Sequence, residues 1–237
     1  MVIRHDKPDQ DYLERAVHFP QVICLDVPKP NMGMATLIHP RWLLTAAHCA
    51  KYLLPGSRVL LGGQHQVVEE VVVHPSWFSR AGSPARENIK DLADLALLKM
   101  RVAAHEPKPL PLHKECPGRG SHLTFVGKGL TGTGLTGAVR QDDRFRAATN
   151  VVEEVLHEQW LTFRFDEPPN ASDYEGVGGE GDSGGPALVR SKDDRSSVAG
   201  VASWEDSQGN PRGAYGTLKY YTCVAPYADW IEYFLNS

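Results

Sequence analysis

Several common signatures are missing from this chain, and each absence narrows what it can be. Its four cysteines include no Cys-x-x-Cys, which argues against a zinc ribbon or a thioredoxin-type motif. No apolar run approaches the ~20 residues a membrane-spanning helix needs. The start, Met1-Val2-Ile3-Arg4-His5-Asp6, carries no apolar stretch of the kind a secretory signal requires, as written. Neither sign of charge is in excess: Lys plus Arg is 25, Asp plus Glu is 29, and the net charge is −4. That balance gives no electrostatic reason to expect nucleic acid or an anionic membrane as partner. The ten histidines show no His-Glu-x-x-His or other tight ligand spacing, so no metal is expected. No internal repeat is visible.

What is present points to many short β-elements. Apolar residues make up 41% of the chain, enough for a packed core and too much for a wholly disordered one. Gly (22) and Pro (17) together are about one residue in six, which favours short elements over long helices. The pattern predicts strands over 22–27, 34–38, 42–45, 58–61, 66–73 and 95–100, then over 122–126, 149–156, 161–165, 186–190 and 197–204. Between the two groups, 101–120 places Pro107, Pro109, Pro111 and Pro117 among charged residues and reads as a linker. Lys192 to Arg195 reads as a solvated hairpin tip. Tyr227, Trp230, Ile231 and Phe234 fall at helical spacing, predicting a terminal amphipathic helix over 226–235. The fold class is therefore all-β, as two antiparallel β-barrels and a C-terminal α-helix, an arrangement that leaves few open sheet edges. The expected division is an N-terminal segment 1–16, a first barrel 17–105, a linker and second barrel 106–224, and the helix 225–237, together one unit.

Three segments carry candidate chemistry. In Glu180-Gly181-Asp182-Ser183-Gly184-Gly185-Pro186, small neighbours leave the Ser183 hydroxyl exposed, and glycines let main-chain N–H groups converge on one point. A serine hydroxyl needs a base to become a nucleophile. His48, in Thr45-Ala46-Ala47-His48-Cys49, has room to supply one. Asp94 opens the apolar run Leu95-Ala96-Leu97-Leu98, where a carboxylate is costly unless hydrogen-bonded, and orienting a histidine would explain it. Asp91 is the nearby competitor and lacks an apolar run directly behind it.

Together these segments resemble the trypsin/chymotrypsin family of serine peptidases, over roughly residues 17–234 and in the family's order His, Asp, Ser. Gly33 to Ile38, Ser203-Trp204, and Tyr221-Thr222 through Trp230-Ile231 are weaker matches. The resemblance implies a double β-barrel, with His48 and Asp94 on the first barrel and Ser183 on the second. It implies Ser183 as nucleophile, His48 as base, Asp94 as the group that orients it, and the N–H groups of Gly181 and Ser183 as the oxyanion hole. It further implies peptide hydrolysis through an acyl-enzyme with no cofactor, protein or peptide substrates, protein inhibitors as further partners, and a secreted or periplasmic location.

The departures from the family pattern are informative. The family's partner for a cysteine after the histidine falls at Gly33, and its cysteine near the serine falls at Gly179, so both disulfides are missing. Cys116 and Cys223 lie near positions that some members bridge; on spacing alone, three full pairings and four separate thiols all stay open. Counting back six from Ser183 puts Val177 at the pocket floor, not an aspartate, so cleavage after Arg or Lys is not expected. Glu180, Ser203 and Trp204 are expected to line the substrate cleft. Glu205 and Lys219 stand where glycines are usual. Lys219 in the pocket would favour an acidic side chain before the scissile bond; in a competing reading Glu205 and Lys219 pair and plug it, and in a third Lys219 faces solvent. The aspartate before the serine is Asp182, which in the family binds a newly freed amine. The expectation is an amine at Ile3 or Val2, with a side chain such as Arg4 or His5 as substitute, or else an N-terminal segment without such a role.

Other signals are weaker. Gly127-Lys128-Gly129-Leu130-Thr131-Gly132 fits the dinucleotide pattern G-x-G-x-x-G, as does 132–137, but no amphipathic helix follows, so a loop beside the cleft is expected. Glu69-Glu70 hints at calcium, yet 62–74 is too short for the family's calcium loop. Asn170-Ala171-Ser172 is a glycosylation sequon. The reading is a serine endopeptidase; the rivals are a catalytically silent binding protein of the same fold and an esterase using the same residues.

Overall fold

The computed structural model describes residues 1–25, 33–79 and 89–236. Two barrel-like sheets dominate it. The first runs in the order Val22–Cys24, Met34–His39, Trp42–Thr45, Ala96–Met100, Gln64–Val73, Arg58–Leu61. Trp42–Thr45 is buried at every position and sits mid-sheet, whereas edge strand Arg58–Leu61 alternates exposed and buried. That is the difference expected between a strand covered on both faces and one half in water. The strand expected over 22–27 is observed over Val22–Cys24; Asp26 and Val27 lie outside the described residues.

The second sheet runs Arg146–Val151, His122–Gly127, Pro186–Arg190, Ser196–Asp206, Leu218–Cys223, Trp160–Arg164, Glu154–Leu156. The sequence suggested one strand over 149–156. The chain instead turns a corner at Val152-Glu153, and its two halves pair at opposite ends of the sheet, with His122–Gly127 and with Trp160–Arg164. Apolar periodicity cannot reveal such a change of partner, because both halves keep the same pattern. Phe125, Phe163 and Tyr221 pack at the centre of this barrel, with ring centroids 4.7–5.2 Å apart. Burying a side chain of this kind contributes about 1.5–3 kcal/mol.

Two features tie the halves together, and a disulfide pins the strap between them to the second sheet. The proline-rich segment is a strap: Leu110 N–H donates to Leu37 O in the first sheet (2.9 Å), and Val198 N–H of the second donates to Pro111 O (2.8 Å). Cys116 is disulfide-bonded to Cys223, with Cα atoms 6.0 Å apart. The terminal helix, Ala228–Leu235, buries Ile231 and sets Phe234 against Trp42 of the first sheet.

The N-terminal segment is more ordered than its composition suggests. Val2–Ile3 forms a small sheet, antiparallel to Gly176–Val177 and parallel to Gly132–Thr133. A helix over Asp9–Ala16 follows. Its apolar residues are Tyr12, Leu13 and Ala16; Tyr12 and Ala16 lie one turn apart and are buried, Leu13 is only partly buried, and the stripe is too sparse to have been predicted. Fully buried Arg146 clasps it, donating through Nε to Asp9 Oδ1 at 2.6 Å and through Nη2 to Asp142 Oδ2 at 2.6 Å.

Candidate active site

A cleft of about 670 Å³ runs between the two sheets, and His48, Asp94 and Ser183 all line it. Register explains how the first two meet. Thr45, ending Trp42–Thr45, pairs with Ala96, beginning Ala96–Met100. His48 follows three residues after Thr45, on the short helix Ala47–Ala50, and Asp94 precedes Ala96 by two, so both emerge from one end of the same strand pair. Asp94 is 1% exposed and its carboxylate is fully engaged: Oδ1 accepts from His48 N–H (2.9 Å), and Oδ2 accepts from His48 Nδ1 (2.7 Å) and from Ser203 Oγ (2.5 Å). Asp91 is exposed. Ser203 reaches Asp94 because the pairing of its strand slips between Ala202 and Trp204, a bulge that re-aims the side chain between them.

Ser183 enters from the second barrel. Its carbonyl accepts from Met34 N–H of the first sheet at 2.7 Å, which fixes the depth of the loop in the cleft. Gly184 has φ +80°, and a Cβ there would lie 2.4 Å from Met34 O, so no other residue fits this turn. Among the described residues the N–H groups of Gly181 and Ser183 have no acceptor, whereas Asp182, Gly184 and Gly185 all donate to backbone carbonyls. His48 Nε2 lies 3.4 Å from Cys49 Sγ, and among the described residues its hydrogen bond is to that sulfur and not to the Ser183 hydroxyl. Burial is the largest influence on the imidazole and pushes its pKa down. The charge and hydrogen bond of Asp94, with help from Cys49, outweigh it and hold His48 well above the usual imidazole value.

The Asp182 carboxylate is held in a cage. Its Oδ2 pairs with the Met1 amine at 2.6 Å and accepts from Gly179 N–H (2.8 Å), while Oδ1 accepts from Gly129 N–H (2.6 Å). The amine also donates to Leu130 O at 2.9 Å. In this structure the amine beside Asp182 is that of Met1, while Val2 and Ile3 are held inside the small sheet and Arg4 is turned to Asp6 and Ser172. Burial, the largest influence on the amine, lowers its pKa against the pull of Asp182. The glycine-rich segment has a purpose here: a Cβ at Gly127 would lie 2.0 Å from Asp182 Oδ1, and one at Gly129 2.8 Å from its carboxyl carbon. These glycines make room for a carboxylate, not a phosphate.

Val177 needs correction. It does not line the cleft; its side chain is fully buried with Val2 and Phe165, because its strand pairs Val2 with Val177. Gly178 and Gly179 line the cleft at that level instead. Lys219 and Glu205, cross-strand partners, form a direct ion pair in the pocket. Burial, the largest influence on Lys219, lowers its pKa, and Glu205 opposes it. Glu205 Oε1 also receives Arg212 Nε at 2.9 Å, and Arg212 reaches exposed Glu180 at 3.6 Å. Trp204 stacks on Tyr220, with centroids 3.8 Å apart, and forms the wall beside them. Sequence reasoning missed Arg212, the Met1 amine and the sulfur beside His48. Only Cys49's place next to His48 offered a signal.

Among the described residues no group of His, Cys, Asp and Glu is arranged to hold a metal, and no helix is long and apolar enough to cross a membrane. Fold and comparisons agree on a class: the protein is a serine endopeptidase, a hydrolase. The family model described as Trypsin matches residues 15–231, and the chain belongs to that family. It is similar to kallikrein-15 of Homo sapiens, 27% identical over 223 residues, covering 85% of this chain and 80% of that protein. It is also similar to tryptase of Mus musculus, 28% identical over 226 residues, covering 84% and 77%.

Proposed function

We propose that Ser183, His48 and Asp94 hydrolyse peptide bonds through an acyl-enzyme, in one unit formed by the barrels of residues 17–105 and 106–224. The observation that carries this is the His48 Nδ1 to Asp94 Oδ2 contact of 2.7 Å at the wall of a cleft that Ser183 shares. With Nδ1–H held by Asp94, Nε2 of the neutral imidazole presents the lone pair that takes a proton once the ring has left Cys49 Sγ. Ser183 Oγ attacks the substrate carbonyl as its proton passes to Nε2. The carbonyl oxygen becomes an oxyanion facing the N–H groups of Gly181 and Ser183. Nε2–H then protonates the leaving amine, the C–N bond breaks, and water repeats the sequence to release the acid. Each oxyanion donor is worth about 2.7–4 kcal/mol of barrier in sites of this kind. A serine–histidine contact that closes only once substrate is bound is common in resting sites of this kind.

For specificity, we read the pocket as one that rejects Arg and Lys and prefers an acidic residue before the cut. Glu205 faces two cations, Lys219 and Arg212. A basic side chain would find the carboxylate already engaged, while an acidic one could take over Arg212, whose side chain is 69% exposed. The Lys219–Glu205 pair itself favours a second reading, in which it plugs the pocket. A secreted or periplasmic location accompanies the peptidase reading. Cut sites mapped by mass spectrometry in a denatured protein mixture test it, alongside a fluorophosphonate probe. Cleavage after Asp or Glu supports the acidic preference, and cleavage without such bias removes it. Probe labelling with peptides left intact turns the reading to an esterase, and no labelling to a binding protein.

A further inference from the structure

The sulfur next to the proposed base is placed by features outside the catalytic groups. Cys49 is 1% exposed, and its Sγ lies 3.4 Å from His48 Nε2 and 3.6 Å from the carbonyl oxygen of Ser183. It can reach both because residue 33 is glycine: a Cβ there would lie 2.6 Å from Sγ and 3.1 Å from that same carbonyl oxygen. Gly33 cannot be replaced without pushing the thiol off this spot, so the position of Sγ depends on two residues distant in sequence.

The donors and acceptors then form a consistent chain. When His48 is protonated, Nδ1–H donates to Asp94 and Nε2–H donates to Cys49 Sγ. The S–H of Cys49 in turn points its proton toward Ser183 O. Both protons of the imidazolium have partners, and neither partner is the Ser183 hydroxyl. We propose that Cys49 is a positioning residue for the reaction: its sulfur holds the Nε2 proton of His48 in the resting enzyme and parks the ring, so that the base must leave the sulfur before it can serve Ser183. The proposal rests on the roles assigned above to His48 and Ser183.

The groups around His48 bear on its titration as well. Asp94 faces Nδ1 from the segment before Ala96–Met100, and Ser203 holds that carboxylate from the second barrel. Lys51, one turn on from His48, lines the same cleft, as do Glu180, Glu205, Arg212 and Lys219. Asp182 is tied to the Met1 amine. Trp77 lies 6.4 Å from the imidazole, ring to ring. Among these, the sulfur bonds Nε2, and it favours the protonated ring, in the direction in which His48 is displaced.

The test is an NMR titration of the His48 ring in the Ser183→Ala background, which requires no activity, with Cys49→Ala and separately Gly33→Ala added. Gly33→Ala retains the thiol but displaces it. Both are expected to lower the His48 pKa by about half a pH unit or more, roughly what loss of one weak bond to the charged form produces. In enzyme that keeps Ser183, the acid limb of kcat/KM is expected to move down with it, raising activity several-fold at mildly acidic pH. Thermal melts identify any variant that fails to fold, and the other then carries the test. A His48 pKa unmoved in the folded variants overturns the proposal. A pKa that moves while wild-type enzyme has no Ser183-dependent activity leaves the sulfur contact intact and refutes the peptidase reading instead.

Discussion

Replacing Glu205 with glutamine removes the carboxylate that pairs with Lys219 and leaves an ammonium group whose side chain is 10% exposed. Glu205 itself is 12% exposed, so the pair is close to fully withdrawn from water. Removing one partner of such a pair costs about 3–5 kcal/mol. Because the pair lines an open cleft, the lower end, about 3 kcal/mol, is expected. Losing the contact to exposed Arg212 adds little, since exposed pairs contribute about 0–1 kcal/mol. Lys219→Met should cost less, because Glu205 keeps Arg212 as partner. The double variant, Glu205→Gln with Lys219→Met, should recover most of the loss, to within about 1 kcal/mol of the original, since no charge is left stranded. Equilibrium urea unfolding of the four proteins measures this directly, with the slope checked for constancy. If Glu205→Gln costs less than about 1 kcal/mol, or if the single effects add to within about 0.5 kcal/mol, the pair is not a buried coupled one and the pocket argument fails.

Three further outcomes follow from the same geometry. Asp94→Asn offers an amide where Nδ1–H needs an acceptor; kcat should fall by at least about a hundredfold with KM little changed, in steady-state assays on a peptide ester and a peptide. In the proposed mechanism His48 must be neutral to accept the Ser183 proton, and Asp94, outweighing burial, holds its pKa well above the usual value, so kcat/KM should rise with pH along a limb centred above an ordinary histidine's. A limb at or below about 6.5 contradicts this. One residue added ahead of Met1 removes the amine from Asp182, stranding a carboxylate whose side chain is 4% exposed. Both melting temperature and kcat/KM should fall, and an extended protein with unchanged values shows that the contact does not support the Ser183 loop.

Much of this could be read from the chain because the informative features are local. Thr45 to Cys49 and Gly181 to Pro186 carry their small residues side by side, and the terminal aromatic spacing marks a helix, observed over Ala228–Leu235. What escaped depends on contacts across long separations. The helix Asp9–Ala16 is held by Arg146, and nothing in its own eight residues suggests that. The cage around Asp182 joins Met1, Gly129 and Gly179, and the glycines of 127–132 look like a loop until the carboxylate is seen between them. Val177 illustrates a limit of counting: six residues before Ser183 is a position in a register, but the strand pairing with Val2 turns its side chain away from the cleft.

In the proposed mechanism the Ser183 hydroxyl oxygen is the nucleophile. Fluorophosphonate labelling followed by peptide mass mapping tests that most directly, run beside hydrolysis of a peptide by wild type and Ser183→Ala. One covalent adduct on Ser183, together with loss of hydrolysis in the alanine variant, is the predicted result. An adduct on another residue, or peptide cleavage that persists without the Ser183 hydroxyl, would contradict it.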